Sequence, residues 1–473
     1  MTRSQRLSLT AATAALVAAL AGAGAGSAPA ATAPAPATVG PPQADSVPAV
    51  EPAGFAPGEL LVRFRGGAPE RRYELPPGIG VRGAARALER NPRIRWAVPD
   101  YVAHASGPGW IPNDRGERSS PLGGWQELQW NFLPCGSTCG EGAGVGLESF
   151  GGIDAPGAWK NLIDVGRPGG QGVKIAVVDT GAAHRNRGKA FRRSPDLNRG
   201  QFVQGRDYVD DDKIPLDENG HGTHVASTIA ERTDNERFVT GLAYRAKLIP
   251  VRALDEQGAG LSSDVAKGIR WGYRHGADVI NLSLEFPRST VDGCDDVPNV
   301  CEAVDRATAK GAVVISGAGN TGASSVSFPG RAPNVIAVGA TTIRGCLADY
   351  SAFGEGLDLV APGGGTDAAL AGAQCQPAAR GPGIVQLTLN NPASGTFISF
   401  GYPHYDGTSM ASAHAAAAAA LVVAAQRRAL GRRPRPEEVG ARLAFTARRD
   451  EGRLDDPEAY GAGLIDAAAA TTP

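Results

Sequence analysis

Four polar residues that are far apart in the chain have the side chains needed for acyl transfer. Asp179 and Asn320 each end a strand-like apolar run, His221 lies between two glycines, and Ser409 precedes a long alanine-rich run. A serine hydroxyl is a weak nucleophile that needs a base, and histidine suits this role near neutral pH. A buried carboxylate would orient that base, and a side-chain amide would donate to the oxyanion. The four residues predict nucleophilic catalysis if the fold brings them together.

Each of these residues also has a commoner structural interpretation. Asp179 and Asn320 are typical turn residues, a single histidine is usually structural, and Ser409 is well placed to be a helix N-cap. The chain order Asp, His, Ser, however, is one of the orders known for catalytic triads. An α/β-hydrolase is disfavoured, because its order is Ser, acid, His and because no G-x-S-x-G surrounds Ser409.

The sequence between these residues alternates patterns typical of strands and of helices. Helical spacing is found in "SSDVAKGIRWGYRHG" and "VCEAVDRATAKG", and apolar strand-like runs are "VKIAVVDTG", "KLIPVRAL", "ADVINLSL", "AVVISGAGN" and "NVIAVGAT". This alternation predicts a mainly parallel sheet covered by helices on both faces, a three-layer α/β/α fold. Ligands bind beyond the carboxyl ends of such strands, where Asp179, Ser283 and Asn320 are expected. The apolar run 415–425 is too short to span a membrane and predicts a buried helix.

The motifs around these residues resemble those of the subtilisin family (subtilases). The motifs are "VVDTG", "GHGTHVAS" and "GTSMAS", joined by "SGAGN" and by framework phrases such as "GIDAPGAW" and "YSAFGEGLDLVAPGG". The resemblance covers the chain from about residue 123 to its C terminus. It implies a serine endopeptidase in which Ser409 attacks the scissile carbonyl, His221 is general base and then acid, and Asp179 orients His221. Asn320 and the Ser409 backbone N–H would bind the oxyanion, while His224 and His414 are interpreted as structural.

The resemblance also implies where a peptide substrate binds. "NLSLEF" corresponds to the edge strand with which such enzymes pair the substrate backbone, through Ser283, Leu284 and Glu285. Gly317, Ala318 and Gly319 would line the pocket for the residue before the cut. The chain departs from the family pattern at Glu285 and Phe286, where many relatives have glycines. If Glu285 points into the pocket, it favours a basic residue before the cut; if it points to solvent, it has no such effect. A second departure is Ala413, where relatives carry proline, and it predicts a straighter helix.

No cofactor is expected for the chemistry, but structural calcium is. The acidic segment "RDYVDDDKIPLDENG" resembles a calcium-binding loop of some subtilases, which implies ligands from Asp207, Asp210 and Asp212. Asp196 in "SPDLN" resembles another calcium ligand of the family. The alternative is a solvated acidic loop without an ion.

The N-terminal third predicts segments that precede the catalytic domain. Residues 1–30 have basic Arg3 and Arg6, an apolar stretch and "APA", which together favour a secretion signal over a membrane anchor. Residues 31–54 form an Ala/Pro-rich linker, and 55–106 show a strand–helix–strand pattern that resembles a shortened family propeptide, rather than a mere spacer. The catalytic domain then spans 107–473. Processing is expected within 104–112, by the enzyme itself, and the propeptide would act as an intramolecular inhibitor.

Composition supports an exported protein. The net charge of -1 predicts neither a nucleic-acid nor an anionic membrane partner. Six cysteines fit disulfides in a secreted chain. They allow 15 pairings, of which the local pairs Cys294–Cys301 and Cys346–Cys375 are favoured over free buried thiols. Zinc is disfavoured, because no histidine lies at ligand spacing from these cysteines.

The sequence therefore predicts a secreted, monomeric, self-processing serine endopeptidase. Two other classes of function remain open. A non-catalytic descendant acting as a binding protein is disfavoured because Asp179, His221, Asn320 and Ser409 are all present. An acyl hydrolase acting on esters is disfavoured because a peptide-pairing strand and an inhibitory propeptide both point to peptides.

Overall fold

The computed structural model describes two compact units that divide between Gly107 and Pro108. The described residues are 55–65, 70–76, 79–101, 109–117, 120–135, 149–370, 375–449, 454 and 456–472. The predicted secretion signal (1–30), the linker (31–54) and most of the predicted processing segment therefore lie outside the described residues.

The smaller unit is an antiparallel sheet packed on one helix. Strand β1 (Phe55–Phe64) lies between β2 (Arg71–Glu74) and β3 (Ile94–Tyr101), and helix α1 spans Val81–Glu89. Its core is apolar and consists of Leu60, Val62, Val81, Ala84, Ala85, Leu88, Ile94 and Ala97. The sequence predicted β1, α1 and β3 but not β2. The segment "RRYE" lacks an apolar alternation because its side chains are mostly exposed at the edge of the sheet.

The larger unit is built on a parallel sheet whose five inner strands were predicted from their apolar runs. In the described part of the chain the sheet has seven strands in the spatial order β10-β9-β8-β7-β4-β6-β5, and neighbouring strands are parallel throughout. The strands are β4 (Lys174–Asp179), β5 (Arg206–Asp207), β6 (Lys247–Arg252), β7 (Val279–Leu282), β8 (Val313–Gly317), β9 (Val335–Thr341) and β10 (Leu359–Pro362).

Helices cover both faces of this sheet, which confirms the predicted three-layer fold. Successive side chains of a strand point to opposite faces. Ile175 and Val177 of β4 pack in one core cluster, whereas Ala176 and Val178 pack in a second. Helices that contribute to the first cluster are α2 (Ala155–Asp164), α3 (His221–Ala230) and a long C-terminal helix, and those of the second are α4 (Ser262–Arg274) and α5 (Pro298–Ala309).

The alanine-rich run forms the buried central helix α6, Thr408–Leu430. Within the described residues it is the one helix long and apolar enough to cross a membrane, but 89% of its most apolar 18-residue stretch is buried inside the protein. The helix is therefore a core element, in line with the prediction for 415–425. It runs without interruption through Ala413, because alanine keeps the backbone N–H that proline lacks.

The remaining elements complete the larger unit. Two short antiparallel strand pairs precede α6: β11 (Ile384–Val385) with β14 (His404–Tyr405), and β12 (Thr388–Leu389) with β13 (Phe400–Gly401). Three helices follow α6: α7 (Pro436–Thr446), α8 (Pro457–Tyr460) and α9 (Ala467–Thr471). The two predicted local disulfides, Cys294–Cys301 and Cys346–Cys375, are present.

Candidate active site

The carboxyl end of β4 and the first turn of α3 bring Asp179 and His221 into contact. The His221 Nδ1 atom lies 2.7 Å from Asp179 Oδ1, and the Asp179 side chain is 1% exposed. Burial lowers the pKa of His221, but the charge of Asp179 and its hydrogen bond raise it more, so the pKa lies above its usual value of 6.5. This contact fixes which ring nitrogen faces the carboxylate. The other, Nε2, is left for a reacting partner.

A buried hydrogen-bond network built on Asp217 fixes the turn that carries His221. One Asp217 oxygen accepts from the Thr180 hydroxyl and from the N–H groups of Asn219 and Gly220, and the other accepts from Thr223. Asp217 was predicted only as part of an acidic loop. Its role was not evident from the sequence, because an Asp before a helix is as often a solvated cap.

The two glycines beside His221 are required by this geometry. Gly220 has a φ of 100°, which favours glycine, and a Cβ on Gly222 would lie 2.2 Å from the Gly181 carbonyl oxygen. The position of His221 between two glycines is thereby explained in two different ways. One neighbour supplies a left-handed conformation, and the other allows close approach of the strand end that carries Asp179.

Ser409 is the second residue of α6 and not its N-cap. The helix starts at Thr408 and its N-cap is Gly407, so the structural interpretation of Ser409 as a cap is wrong. The Ser409 hydroxyl donates to the Ser283 carbonyl at 3.3 Å. Among the described residues it makes no hydrogen bond to the His221 ring. The Ser409 backbone N–H lies in the first helical turn, where no intrahelical acceptor is available.

Asn320 is oriented by Thr408, the neighbour of Ser409. The Asn320 Oδ1 atom accepts from the Thr408 N–H at 2.9 Å and from the Thr408 hydroxyl at 3.1 Å. Because this oxygen is occupied, the Nδ2 amide group remains available as a donor. The amide and the Ser409 backbone N–H are thus two donors in the part of the site that carries the serine hydroxyl.

These residues share one cleft of about 540 Å³. His221, Asn320 and Ser409 line it together with three predicted substrate-binding residues, Ser283, Leu284 and Glu285. The other three predicted residues, Gly317, Ala318 and Gly319, are buried and do not line the cleft. Gly319 is covered by neighbouring side chains: a Cβ there would lie 2.4 Å from Ser327 Oγ and 2.6 Å from Glu285 Oε2.

The prediction that "NLSLEF" forms an edge strand is wrong for its first half. Strand β7 ends at Leu282 and lies between β4 and β8, so its backbone groups are paired on both sides. The chain leaves the sheet only at Ser283. Within the described residues, the backbone N–H groups of Leu284 and Glu285 donate to no acceptor, whereas Phe286 donates to the Phe328 carbonyl at 2.7 Å. The unpaired edge is therefore the short segment 283–285.

Glu285 faces the cleft and is held by Asn320. Its Oε1 atom accepts from the Asn320 backbone N–H at 3.1 Å. Its Oε2 atom is buried and has no hydrogen-bond partner in the described part of the chain. The position of this carboxylate settles the question left open by the sequence, which was whether Glu285 points to solvent or into the cleft.

The acidic loop predicted to bind calcium is organised around an arginine. The Arg252 guanidinium, which is 3% exposed, lies 3.2 Å from Asp207 and 2.7 Å from Asp210. Asp207 also accepts backbone N–H groups of Val209 and Asp210, and Asp212 accepts from Ile214. These carboxylates therefore have cationic and backbone partners within the protein.

A second acidic cluster in the larger unit forms no salt bridge among the described residues. Asp196 is fully buried and accepts from the Asn235 side chain at 2.8 Å, while its Oδ2 atom is buried and has no hydrogen-bond partner in the described part of the chain. Burial raises the pKa of Asp196 to about 8 and that of Asp114 to about 7. The pKa of Glu231 is also raised, first by burial and then by Asp196. The sequence identified Asp196 alone, because Asp114 and Glu231 are distant in the chain.

The other histidines near the cleft are core residues. His224 and His414 are fully buried, and burial lowers their pKa values to about 3 and about 4. His224 Nε2 lies 3.1 Å from the Ile384 carbonyl, and His414 Nδ1 lies 2.8 Å from the Met410 carbonyl. Both stay neutral near pH 7 and have partners within the protein.

The sequence of this chain is similar to that of known proteins. The family model described as "Subtilase family" matches residues 170–463. The chain is 32% identical over 370 residues to the thermophilic serine proteinase of Bacillus sp. (strain AK1), covering 77% of this chain and 72% of the relative. It is 35% identical over 302 residues to subtilisin BL of Lederbergia lenta, covering 64% of this chain and 91% of the relative.

The chain is also similar to a solved protease structure. That structure, described as proteases from Pseudoalteromonas arctica PAMC 21717, matches with a TM-score of 0.57 and 30% sequence identity, and the match covers 76% of this chain and 98% of the solved chain.

Proposed function

The chain belongs to the subtilase family and is a serine-type endopeptidase, and we propose that Asp179, His221 and Ser409 are its catalytic triad. The observation that carries this proposal is the 2.7 Å contact between His221 Nδ1 and Asp179, at the edge of a cleft that also contains Ser409 and Asn320. Each residue stands at an element terminus that the core holds in place.

In the proposed reaction, Ser409 Oγ attacks the carbonyl carbon of the scissile peptide. Its proton passes to His221 Nε2, while Asp179 holds Nδ1–H and stabilises the imidazolium. The Ser409 hydroxyl first turns from the Ser283 carbonyl by rotation about its Cα–Cβ bond; catalytic hydrogen bonds are often long or poorly aligned before substrate binds. His221 then gives the proton to the leaving amine, which leaves an acyl-enzyme that water hydrolyses by the reverse sequence.

The negative charge that develops on the carbonyl oxygen would be stabilised by two donors. These are the Nδ2 group of Asn320 and the backbone N–H of Ser409. Thr408 supports the first donor, because it occupies Asn320 Oδ1 and so fixes the orientation of the amide. Donors that are oriented before the reaction need no reorganisation when the charge forms.

We also propose that the protein is secreted as a zymogen. The predicted signal (1–30), linker (31–54) and propeptide (55–106) support this proposal, and the small sheet and helix of 55–101 provide a compact unit separate from the catalytic one. The unit has a small core, so it is suited to depend on a partner surface for stability. The catalytic unit (107–473) would cut it off and act as a monomer.

We propose that calcium would stabilise the fold and take no part in peptide hydrolysis. Carboxylate and amide oxygens suit Ca²⁺, and Asp114, Asp196 and Asn235 offer them together, with an unpartnered buried oxygen on Asp196. A bound divalent cation would neutralise these carboxylates. At the loop of Asp207, Asp210 and Asp212, calcium would compete with the guanidinium of Arg252.

The proposal is tested by comparing the full-length wild type with Ser409→Ala. We expect the wild type to lose its N-terminal segment and to react with a fluorophosphonate, whereas Ser409→Ala keeps the segment and does not react. Ser324→Ala, at an exposed serine outside the cleft, is the matched control and should behave as the wild type. A wild type that neither matures nor reacts contradicts the assignment and favours a non-catalytic protein.

A further inference from the structure

We propose that Glu285 makes this enzyme select substrates with lysine or arginine immediately before the cut. The inference rests on the proposed function, since it concerns the same cleft. Glu285 is the only carboxylate among the described residues that line the cleft, which also contains no lysine or arginine. A cation to complement its charge would therefore come from the substrate.

The position of the reacting bond places the substrate side chain near Glu285. Ser409 Oγ is next to the Ser283 carbonyl, and the oxyanion donors lie at Asn320 and Ser409. The residue before the cut is bonded directly to the carbonyl carbon, so its side chain enters the space between segment 283–287 and Asn320. Glu285 links the two sides of this space, because its carboxylate accepts a hydrogen bond from the Asn320 N–H.

The chain fixes the Glu285 backbone but leaves its charge uncompensated. Phe286, the next residue, donates to the Phe328 carbonyl at 2.7 Å and anchors the segment. Glu285 Oε2 uses the room left by the missing side chain of Gly319, where a Cβ would lie 2.6 Å from it, and within the described residues it has no hydrogen-bond partner. A buried carboxylate oxygen without a partner is unfavourable, and an ammonium or guanidinium group removes that cost. The terminal torsion of glutamate is soft, so the buried Oε2 atom can turn away from Gly319 to meet a cation in the cleft without backbone movement.

The preference concerns substrates that bind from solution. The predicted processing segment, residues 104–112, contains no lysine or arginine. Self-cleavage is intramolecular, and the high effective concentration of a tethered segment compensates for a poor fit of one side chain.

The test compares peptides that differ only in the residue before the cut: lysine against norleucine, and arginine against citrulline. We expect the wild type to cleave the charged member of each pair with the higher kcat/KM. In Glu285→Gln, the kcat/KM for lysine should fall at least about 30-fold while that for norleucine changes little, because one partner of a buried charge pair is lost. Glutamine keeps an oxygen that can accept from the Asn320 N–H, so the hydrogen bond between residue 285 and Asn320 is retained.

The controls separate this inference from the proposed function. Glu355→Gln removes one exposed negative charge outside the cleft and should leave the lysine-to-norleucine ratio unchanged. Benzamidine, a small aromatic cation, should inhibit the wild type competitively and Glu285→Gln much more weakly. If the wild type reacts with fluorophosphonate but cleaves norleucine as well as lysine, or if Glu285→Gln keeps the ratio, the inference is wrong and the proposed function stands. If no peptide is cleaved and Ser409 does not react, the proposed function fails.

Discussion

The two walls of the cleft differ in how their polar groups are satisfied. The proposed catalytic residues that line the cleft, His221, Asn320 and Ser409, form what we call the catalytic wall. This wall and the buried Asp179 behind it are held by hydrogen bonds within the chain that involve Asp217, Thr180 and Thr408. Segment 283–285, which we call the specificity wall, has two backbone N–H groups and one carboxylate oxygen that find no partner among the described residues. We propose that the groups that act on every substrate are fixed in advance, whereas the groups that distinguish substrates are paired only when substrate binds. Each prediction below asks whether chemistry and selection can be changed separately.

The largest effect is expected for Asp179→Asn. The amide keeps the size of the side chain but can hold His221 in the wrong tautomer, so kcat should fall by about 10⁴-fold. The loss should be equal for lysine and norleucine peptides, which kinetics on both peptides would check. An unequal loss would show that the two walls are not separate.

Asn320→Ala should lower kcat by about 10²- to 10³-fold, the range known for an oxyanion donor in subtilisins, to which this chain is related. The substitution removes the side-chain amide but keeps the backbone N–H that Glu285 accepts. The ratio of lysine to norleucine cleavage should therefore stay at its wild-type value, while a ratio near one would mean that the two walls depend on each other.

The pH dependence of kcat/KM should report His221. Only the neutral imidazole can accept the Ser409 proton, so kcat/KM should fall about tenfold per pH unit below the pKa of His221. Because Asp179 raises that pKa, the acid limb should lie above pH 6.5. In Asp179→Asn the raising charge is gone and burial remains, so the limb should move below pH 6.5. Profiles of the wild type and Asp179→Asn would measure this, and a limb that does not move would contradict the assignment.

The smallest effect on the cleft is expected from calcium removal. A chelator should lower the unfolding temperature measured by calorimetry, because a ligand that binds only the folded state stabilises it. Asp196→Asn should reduce the shift, whereas Asp212→Asn, in the loop centred on Arg252, should leave most of it. The lysine-to-norleucine ratio should be unaffected while the protein stays folded. A chelator effect that persists in Asp196→Asn would assign the ion elsewhere.

Much of the fold follows from short-range patterns. The apolar runs that form β4, β6, β7, β8 and β9 are buried on both faces, and such runs are recognisable without knowledge of their neighbours. Strand β2 was missed because its polar side chains at a sheet edge carry no apolar pattern. The edge-strand interpretation of "NLSLEF" failed because strand order is a property of the whole sheet.

The site was predictable in its residue types and less so in its surroundings. Asp179, His221, Asn320 and Ser409 stand in local motifs. Two contacts that hold them are long-range: Thr180 to Asp217 joins residues 37 apart in the chain, and Thr408 to Asn320 joins residues 88 apart. The cluster of Asp114, Asp196 and Asn235 joins three distant segments. Glu285 was visible as a departure from the family pattern, but the direction of its side chain depends on the room that Gly319 leaves.

The separation of chemistry from selection is tested most directly by the kcat/KM values of Asp179→Asn and Glu285→Gln on the lysine and norleucine peptides. We predict that Asp179→Asn lowers both values by the same factor, and that Glu285→Gln lowers only the value for lysine. If Glu285→Gln lowers both equally, Glu285 supports the catalytic wall and the division of the cleft into two walls is contradicted.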